Sequence, residues 1–531
     1  MKKQLATQQQ QIERLSRALE SQKELLERVL RNPQGSQQPV PNLGQVASNE
    51  PMLPKNLNGS TIAAAPTGTV SSGATTTLSQ AQHLQEAAPL QLHVGTATIT
   101  PVGFMDFTSV WRSNDGGSGI GTNFASIPYG NTFQTNLSEF RLSMQNSRIG
   151  FRADAMVKGA HVIGYMESDF LGNNPGNVAV SSNSNTMRSR LYWLDVRRGK
   201  WEVLGGQTWS LITPGRSGIS PLPGDLFFTQ NIDVNYQLGL VWGRIPEFRF
   251  VYHPTNTIAF AVALDSPEQY MGGSAGGGKV TFPPALSSTY VGKELNDGST
   301  TLNVPNVAPD VIVKLAFDPS KKFHIEIGGV ERNFRLWNPT DQTTYSTTGG
   351  GGFLNLNFEL FKGFRVLTNN FLSDGGGRYI FGQAPDLIAR DDGSPSLIHA
   401  HSTVSGIEYT HKNILVYAYY GGLYVGRNVA IVPVTTTSGT PPVTTTTLTP
   451  FGYGYAGSAD GQNRAVQEGT FGFNQTIWKD AKWGAVNFMG QYSYVTRSPW
   501  SVATGQPKEA NINMVFFNLR YTLPGSAPAM K

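Results

Sequence analysis

The sequence predicts an all-β fold: a 16-stranded antiparallel transmembrane β-barrel preceded by an α-helical coiled coil. Glycine reaches 59 residues and aromatics 11%, while charged residues fall to 15%, which favours many short strands over helices. No run of about 18 apolar residues occurs, so an ordinary transmembrane helix is excluded. Alternating strands of about 9 to 11 residues also cross a bilayer when they close into a barrel.

The composition also excludes several classes of function. Cysteine is absent, which excludes a disulfide framework, a Cys-based zinc site and a thiol nucleophile. The net charge of +5 is small for 531 residues and the basic residues are scattered among acids, so no nucleic-acid partner is indicated.

The N-terminal segment, residues 1–31, carries a heptad pattern. One seam position is apolar and the other mixes apolar residues with Gln, which predicts a coiled coil whose Gln residues specify register or oligomer. A lone solvent-exposed helix remains the alternative. Residues 32–96 are rich in Pro, Gln, Thr, Ala and Ser and predict a flexible linker, so residues 97–531 form the barrel domain. The first seam position holds Leu5, Ile12, Leu19 and Leu26, and the second holds Gln8, Leu15, Gln22 and Val29.

Period-two alternation continues from Thr98 to Leu523 and predicts an even number of strands. The sixteen predicted strands are residues 98–112, 139–156, 161–171, 188–196, 201–209, 241–252, 257–264, 311–317, 323–334, 353–361, 364–372, 399–411, 414–425, 468–478, 483–495 and 511–523.

The connections between these strands alternate between long and short. Every long connection is rich in Gly, Ser, Thr, Asn and Pro, which is the rhythm of an outer-membrane barrel with brief periplasmic turns and extended outer loops. A soluble sandwich or propeller is the alternative, because repeat architectures also produce many short strands. The seven short turns are residues 157–160, 197–200, 253–256, 318–322, 362–363, 412–413 and 479–482.

Side-chain parity within strands predicts one lipid-facing and one water-facing surface. In the last strand Phe517 and Leu519 share one face and Arg520 lies on the other. In the strand 201–209, Trp201 and Trp209 share a face and mark its two ends, as the aromatic girdles of a barrel require.

Charged residues on the second and third strands predict a polar wall inside the barrel. Folding about the first short turn sets Arg148 near Asp169 and Arg152 near Tyr165, and Glu167 shares the face of Asp169. Because lipid rejects these charges, the sequence predicts that they point inward as a mixed-charge ladder.

Arg190 and Asp195 have opposite parity on one strand, so both face inward only if the strand contains a bulge. Arg190 lies deeper and would cost about 2 to 4 kcal/mol in mid-bilayer lipid. We therefore expect Arg190 to face inward and Asp195 to lie at the interface near the short turn. Arg249 and Lys314 are also predicted to face inward by parity. Lumen solvation and solute contact both remain open as roles for these side chains.

The third long connection, "SLITPGRSGISPLPGDLFFTQNIDVNY", is too apolar for a loop in water. We expect it to pack inside the barrel and narrow it, with Arg216 and Asp225 near the constriction. A loop over the rim or in a neighbouring subunit is the alternative.

Signals of an enzyme, a cofactor or a metal are weak. "GSAGGGK", residues 273–279, matches phosphate-loop spacing but continues with Val280 instead of a hydroxyl residue, and no helix is predicted to follow it. His399 and His401 share a face without a third ligand. The Thr-rich residues 434–449 predict an exposed loop. The sequence therefore predicts no enzyme, no cofactor and no metal site.

Several stretches resemble the DcaP-like trimeric porins of Gram-negative outer membranes. They are "QNSRIGFRADA" followed by an acidic strand, "LGGQTWSL", "RIPEFRFVYHPTNTIAFAVALDSPE" and the heptad N-terminus. The resemblance implies a homotrimer in the cell outer membrane, in contact with its lipid and lipopolysaccharide, with the coiled coil in the periplasm. It further implies passive diffusion of small hydrophilic solutes, with some preference for anions such as dicarboxylates. Arg148, Arg152 and Arg190 fit that preference.

Two other functions remain open: a non-conducting outer-membrane adhesin or envelope tether, indicated by the coiled coil and long outer loops, and a soluble carbohydrate-active β protein. The start "MKKQLATQQQQ" carries no apolar h-region although an outer-membrane barrel is exported. We therefore expect either an upstream start codon or a signal already removed. The last strand is followed by "PGSAPAMK" instead of a terminal aromatic residue.

Overall fold

The computed structural model describes residues 90–524 except for 117, 125–126, 173–184, 222–225, 231–235, 274–277, 297–303, 381–383 and 440–441. The predicted coiled coil, most of the predicted linker and the predicted constriction residue Asp225 lie outside the described residues.

The described residues form 22 strands, one short α-helix, α1 (Pro284–Tyr290), and two 3-10 helices, Phe133–Asn136 and Gly377–Tyr379. No helix among them is long and apolar enough to cross a membrane. The strands are β1 (Leu92–Val94), β2 (Ala97–Arg112), β3 (Glu139–Ser143), β4 (Arg148–Val157), β5 (Ala160–Asp169), β6 (Arg188–Arg198), β7 (Trp201–Trp209), β8 (Arg244–Tyr252), β9 (Ile258–Asp265), β10 (Asp310–Ser320), β11 (Phe323–Asn338), β12 (Thr343–Phe361), β13 (Phe364–Asp374), β14 (Leu387–Ala389), β15 (Pro395–Leu397), β16 (His399–His411), β17 (Ile414–Val425), β18 (Asn428–Ser438), β19 (Val443–Tyr453), β20 (Asn463–Asp480), β21 (Gly484–Pro499) and β22 (Ala510–Thr522).

The main sheet is antiparallel and closes on itself. Each strand pairs with the next along the wall, and the last strand, β22, pairs with β2 from Phe104↔Thr522 to Arg112↔Met514. β3 and β4 pair with successive parts of β2 and together occupy one position in the wall. The barrel therefore has sixteen wall positions, as predicted, and no sheet edge is left open.

The closed wall separates the side chains into two sets. Phe517 and Leu519 point outward and are about half exposed, whereas Asn518 and Arg520 point inward and are buried. Across the barrel, large apolar side chains are exposed on the outside, while most inward-facing residues are buried against the inner loop and one another. The predicted parity of the last strand is confirmed.

The connections at one end are short and most of those at the other end are long. One predicted long connection is wrong: β11 and β12 continue in register to Asn338↔Thr343, so only residues 339–342 join them. The Thr-rich segment also differs from the predicted loop, because it forms the exposed hairpin β18–β19. Cross-strand pairs such as Thr435–Thr446, with hydroxyl oxygens 2.9 Å apart, match the strand preference of β-branched side chains.

The long-loop end is capped by the described residues of three connections, which run between residues 266 and 309, 375 and 398, and 426 and 462. Buried Arg332 holds this cap to the wall, with its Nε 2.9 Å from Asp310 Oδ2 and its Nη1 2.8 Å from Asp386 Oδ1. Burial raises the pKa of the Asp386 carboxyl, and Arg332 opposes that rise. The Tyr379 hydroxyl donates to Asp310 at 3.0 Å. One guanidinium group therefore joins the connection of residues 375–398 to the barrel wall.

The closing strand pair depends on a buried ion pair, which gives a first prediction. Arg520 Nε lies 2.7 Å from Asp106 Oδ2, and Asn518 donates to the other carboxylate oxygen at 3.1 Å. Asp106→Ala leaves Arg520 without its anion, so we expect the free energy of unfolding to fall by about 3 to 5 kcal/mol. Denaturant titration measures this loss. Glu509→Ala, at an exposed position, is the matched control. Equal free energies of unfolding for the two variants would contradict a stabilising role of the Asp106–Arg520 pair.

Candidate functional site: the inner wall and the inner loop

The inner wall of β4, β5 and β6 carries a continuous network of charges. The register pairs Arg148 with Asp169 and Arg152 with Tyr165, as predicted. Arg190 bridges the two acids of this wall, with its Nε 2.7 Å from Glu167 Oε1 and its Nη1 2.5 Å from Asp169 Oδ2. Arg148 Nη1 lies 3.5 Å from Glu167 Oε1. All four side chains are buried.

A β-bulge at Arg190 places both Arg190 and Asp195 inside the barrel. β5 pairs Glu167 with Leu191 and then Ser168 with Ser189, so Arg190 is the extra residue of β6. Its parity therefore changes relative to the rest of the strand. Asp195 is completely buried, and the predicted interfacial position of Asp195 is wrong for this reason.

The network holds more positive than negative groups. Arg188 donates to both carboxylate oxygens of Asp169, at 3.0 and 2.6 Å. Arg190 and Arg244 both lie over the ring of Trp209, at 5.6 and 5.9 Å from its centroid. Arg188 and Arg244 are partly exposed, whereas Asp169 is fully buried. The accessible charge of this wall is therefore cationic.

The position of Trp209 differs from the predicted aromatic girdle. Trp201 is half exposed on the outer face, but Trp209 is buried and packs edge-on against Trp242 at 5.7 Å. Gly206 lies between the two indoles, and its φ of +136° is outside ordinary strand geometry. Trp209 thus belongs to the inner wall.

The other predicted inward residues are also buried and paired. Arg152 Nη2 lies 2.7 Å from Asp154 Oδ1, and Lys314 Nζ lies 3.2 Å from Glu326 Oε2. Arg249 forms a close ion pair with Glu247. A buried charge without a partner is costly, and each of these three cations has a neighbouring acid.

The described residues of the connection between β7 and β8, which are 210–221, 226–230 and 236–243, lie inside the barrel and are termed the inner loop. Arg216 contacts β16 on the far side, with its Nη1 2.8 Å from Glu408 Oε2 and its Nη2 2.5 Å from Glu408 Oε1. Tyr419 donates to the same carboxylate at 2.7 Å. This bidentate pair is fully desolvated and fixes where the loop crosses the interior.

Further contacts attach the inner loop to the wall on both sides of Arg216. The Gly215 N–H donates to Glu326 at 3.1 Å, the Leu238 N–H donates to Glu468 at 3.0 Å, and the Gln230 N–H donates to Gln491 at 2.6 Å. The described part of the loop therefore packs inside the barrel, as predicted.

Sequence reasoning missed several charged residues that the structure brings to the interior. Each lies on a strand at the parity of buried neighbours, so period two was an available signal. The partner of each of these residues comes from another strand or loop, and the local sequence pattern does not indicate it. The missed residues include Asp106, Arg112, Arg332 and Glu408.

His399 and His401 do not form a metal site in the described residues. His399 pairs with Asp374, and the His401 ring stacks on Tyr424 at 5.4 Å. The part of the chain that the structure describes contains no group of three or more His, Asp or Glu side chains placed to hold a metal ion.

Comparison with solved structures shows the fold. The outer membrane channel DcaP of Acinetobacter baumannii aligns with 81% of this chain and 98% of its own, with a TM-score of 0.57 and 15% identity. The anion-selective porin from Comamonas acidovorans aligns with 80% of this chain and 99% of its own, with a TM-score of 0.42 and 10% identity. OmpT of Vibrio cholerae aligns with 81% of this chain and 99% of its own, with a TM-score of 0.42 and 10% identity. No protein-family model and no curated protein matches the sequence.

The Arg216–Glu408 pair gives a prediction about loop mobility. Glu408→Ala removes the anchor of Arg216, and an uncompensated buried charge costs about 3 kcal/mol or more, so local opening rises on the order of a hundredfold. Hydrogen exchange followed by mass spectrometry is expected to show faster exchange for the peptide around Gly215. The structure describes residues 210–221 of this segment.

The second attachment of the loop serves as an internal reference in the same experiment. The peptide around Leu238 is bound by Glu468 and keeps its protection in the Glu408→Ala protein. Glu331→Ala, at an exposed position, is the matched control. Unchanged exchange around Gly215 would mean that the ion pair does not hold the loop.

Proposed function

We propose, from the premise that this chain has the fold of the DcaP outer membrane channel, that it is an outer-membrane channel for passive diffusion of small hydrophilic solutes. The observation that carries this proposal is the division of side chains by the closed wall: apolar outside, charged and hydrogen-bonded inside. A barrel in lipid needs this arrangement, because every backbone group pairs within the wall while the outer face meets hydrocarbon.

The proposed pathway is narrow. The inner loop spans the interior from β7 to β16, and most inward-facing side chains in the described residues are buried against it or against one another. Solutes that pass through the barrel beside the inner loop are therefore small, and the conductance of one barrel is expected to be low. Catalysis is not part of this proposal.

A mild preference for anions is part of the same proposal. The carboxylates of Glu167 and Asp169 are buried beneath ion pairs, whereas the side chains of Arg188 and Arg244 are partly exposed. A passing solute meets the cations first, which favours small anions such as dicarboxylates. Because most wall cations are paired with acids, the preference is expected to be modest.

The remaining parts of the proposal concern orientation and assembly. The short turns face the periplasm and the long connections face the outside, as their asymmetry predicts. The chain assembles as a homotrimer through residues 1–31, which form a periplasmic coiled coil joined to the barrel by the flexible linker of residues 32–96. The heptad pattern and the DcaP fold support this arrangement.

Planar-bilayer recording of the detergent-purified protein tests the channel proposal. We expect low-conductance openings, three-level closures and a reversal potential in a salt gradient that shows anion preference. The double variant Arg188→Glu with Arg244→Glu is expected to shift the reversal potential toward cation preference by inverting the accessible charge of the wall.

The controls separate selectivity from folding. Arg464→Glu changes an exposed charge at the long-loop end and should leave the reversal potential unchanged. A folded, heat-modifiable barrel that never conducts would overturn the channel proposal and favour the adhesin or envelope tether.

A further inference from the structure

The short-turn end of the barrel carries a ring of exposed positive charge, termed the lysine ring. Its nine members occupy six of the seven turns predicted at this end and so surround the barrel. Among the described residues, none of them pairs with an acid. The members are Lys158, Arg198, Lys200, Lys321, Lys322, Lys362, Lys412, Lys479 and Lys482.

The acids at this end do not balance the lysine ring. Asp318 accepts from the Gly218 N–H at 2.8 Å and pairs with His324. Glu359 pairs with Arg365, and Asp480 accepts from the Lys482 N–H at 2.7 Å. All three acids are partly buried and already engaged, so the exposed charge of the short-turn end is positive.

The long-loop end shows no such excess. Its exposed charges are of both signs and alternate along the connections. Examples from the described residues are Arg141, Lys293 and Arg464 on the positive side and Glu331, Asp341 and Asp391 on the negative side.

Two lysines of the ring occupy backbone positions that disfavour them. Lys158 and Lys412 have φ values of +49° and +51°, and only one other non-glycine residue in the described chain, Gln342, has a positive φ. Such turn positions favour Gly, Asn or Asp, because a Cβ crowds the backbone there. A long cationic side chain is present at both positions despite that conformational cost.

Outward-facing aromatic side chains lie directly beside the lysine ring. Trp201 follows Lys200, and Trp483 follows Lys482; both indoles are at least half exposed. Phe361 and Tyr409 extend this belt next to two other turns, and Trp478 lies on the other side of the turn that Trp483 follows. Aromatic rings of this kind lie at the headgroup level of a bilayer, and neighbouring lysines reach from there into the headgroups.

We propose that the lysine ring and its aromatic belt bind the phosphate groups of anionic glycerophospholipids in the leaflet at the short-turn end. Binding needs a barrel that spans lipid, so it rests on the proposed function. Cations on all sides of the barrel fit the annulus of lipid around it, whereas a globular partner would contact one side. Each lysine near an anionic surface contributes attraction that salt weakens.

Fluorescence quenching by brominated lipids tests this proposal. The reporter chain carries Trp111→Phe and Trp337→Phe, which leaves Trp201, Trp478 and Trp483 as the half-exposed outward indoles. It is folded into phosphatidylcholine vesicles that contain brominated phosphatidylglycerol or, in parallel, brominated phosphatidylcholine. We expect at least about a threefold preference for the anionic lipid at low salt, reduced at high salt.

Matched variants locate the preference. A triple variant is expected to lower the preference for the anionic lipid; it carries Lys158→Gln, Lys362→Gln and Lys412→Gln. Replacement of all eight lysines of the ring by Gln is expected to abolish this preference. The control chain carries Lys293→Gln, Arg464→Gln and Lys508→Gln at the long-loop end and keeps the full preference. Heat-modifiable mobility verifies folding of each chain.

The outcomes separate this proposal from the channel proposal. Equal quenching by both lipids in vesicles that conduct ions would overturn lipid binding and leave the channel function standing. A preference that survives in the eight-lysine variant would also overturn it. Abolition of the preference by soluble glycerol phosphate would mean that the ring binds free phosphate compounds instead of lipid. Failure to insert into vesicles would overturn both proposals.

Discussion

Closure of the sheet between β2 and β22 is the constraint on which the rest of the structure depends. Once both strands pair along their length, no edge remains, and every wall side chain must point either inward or outward. Asp106 and Arg520 occupy this pairing and are both buried, so a charged pair lies where the ends of the barrel domain meet. The apolar outer face and the charged interior follow from the same closure.

The interior is organised by ion pairs between segments that are far apart in the chain. Arg216 reaches Glu408 across the barrel, and Arg190 reaches Glu167 and Asp169 through a bulge. Buried charges require such partners, and removal of either partner is costly. The pairs therefore fix the position of the inner loop. Arg188 of β6 and Arg244 of β8 remain partly exposed beside these pairs, which is the physical basis of the proposed anion preference.

Strand number, order and most strand bounds could be predicted, because period two and short turns are local signals. The inward direction of Arg148 and Glu167 followed from the same parity. Asp195 was placed wrongly, because the opposite parity of Arg190 and Asp195 raised a bulge as one possibility and did not show that the strand contains it. Glu408 was missed because its partner lies on a distant loop. The β18–β19 hairpin was missed because its Thr residues satisfy each other across two strands and need no apolar core.

The position of the inner loop against the far wall is the central claim, and cross-linking tests it most directly. The chain has no cysteine, so Arg216→Cys with Glu408→Cys introduces the only two thiols. A short bifunctional maleimide should join them rapidly in the folded protein, and digestion between the two positions should then leave linked fragments. A folded protein whose two thiols react separately and never become linked would contradict this account of the interior.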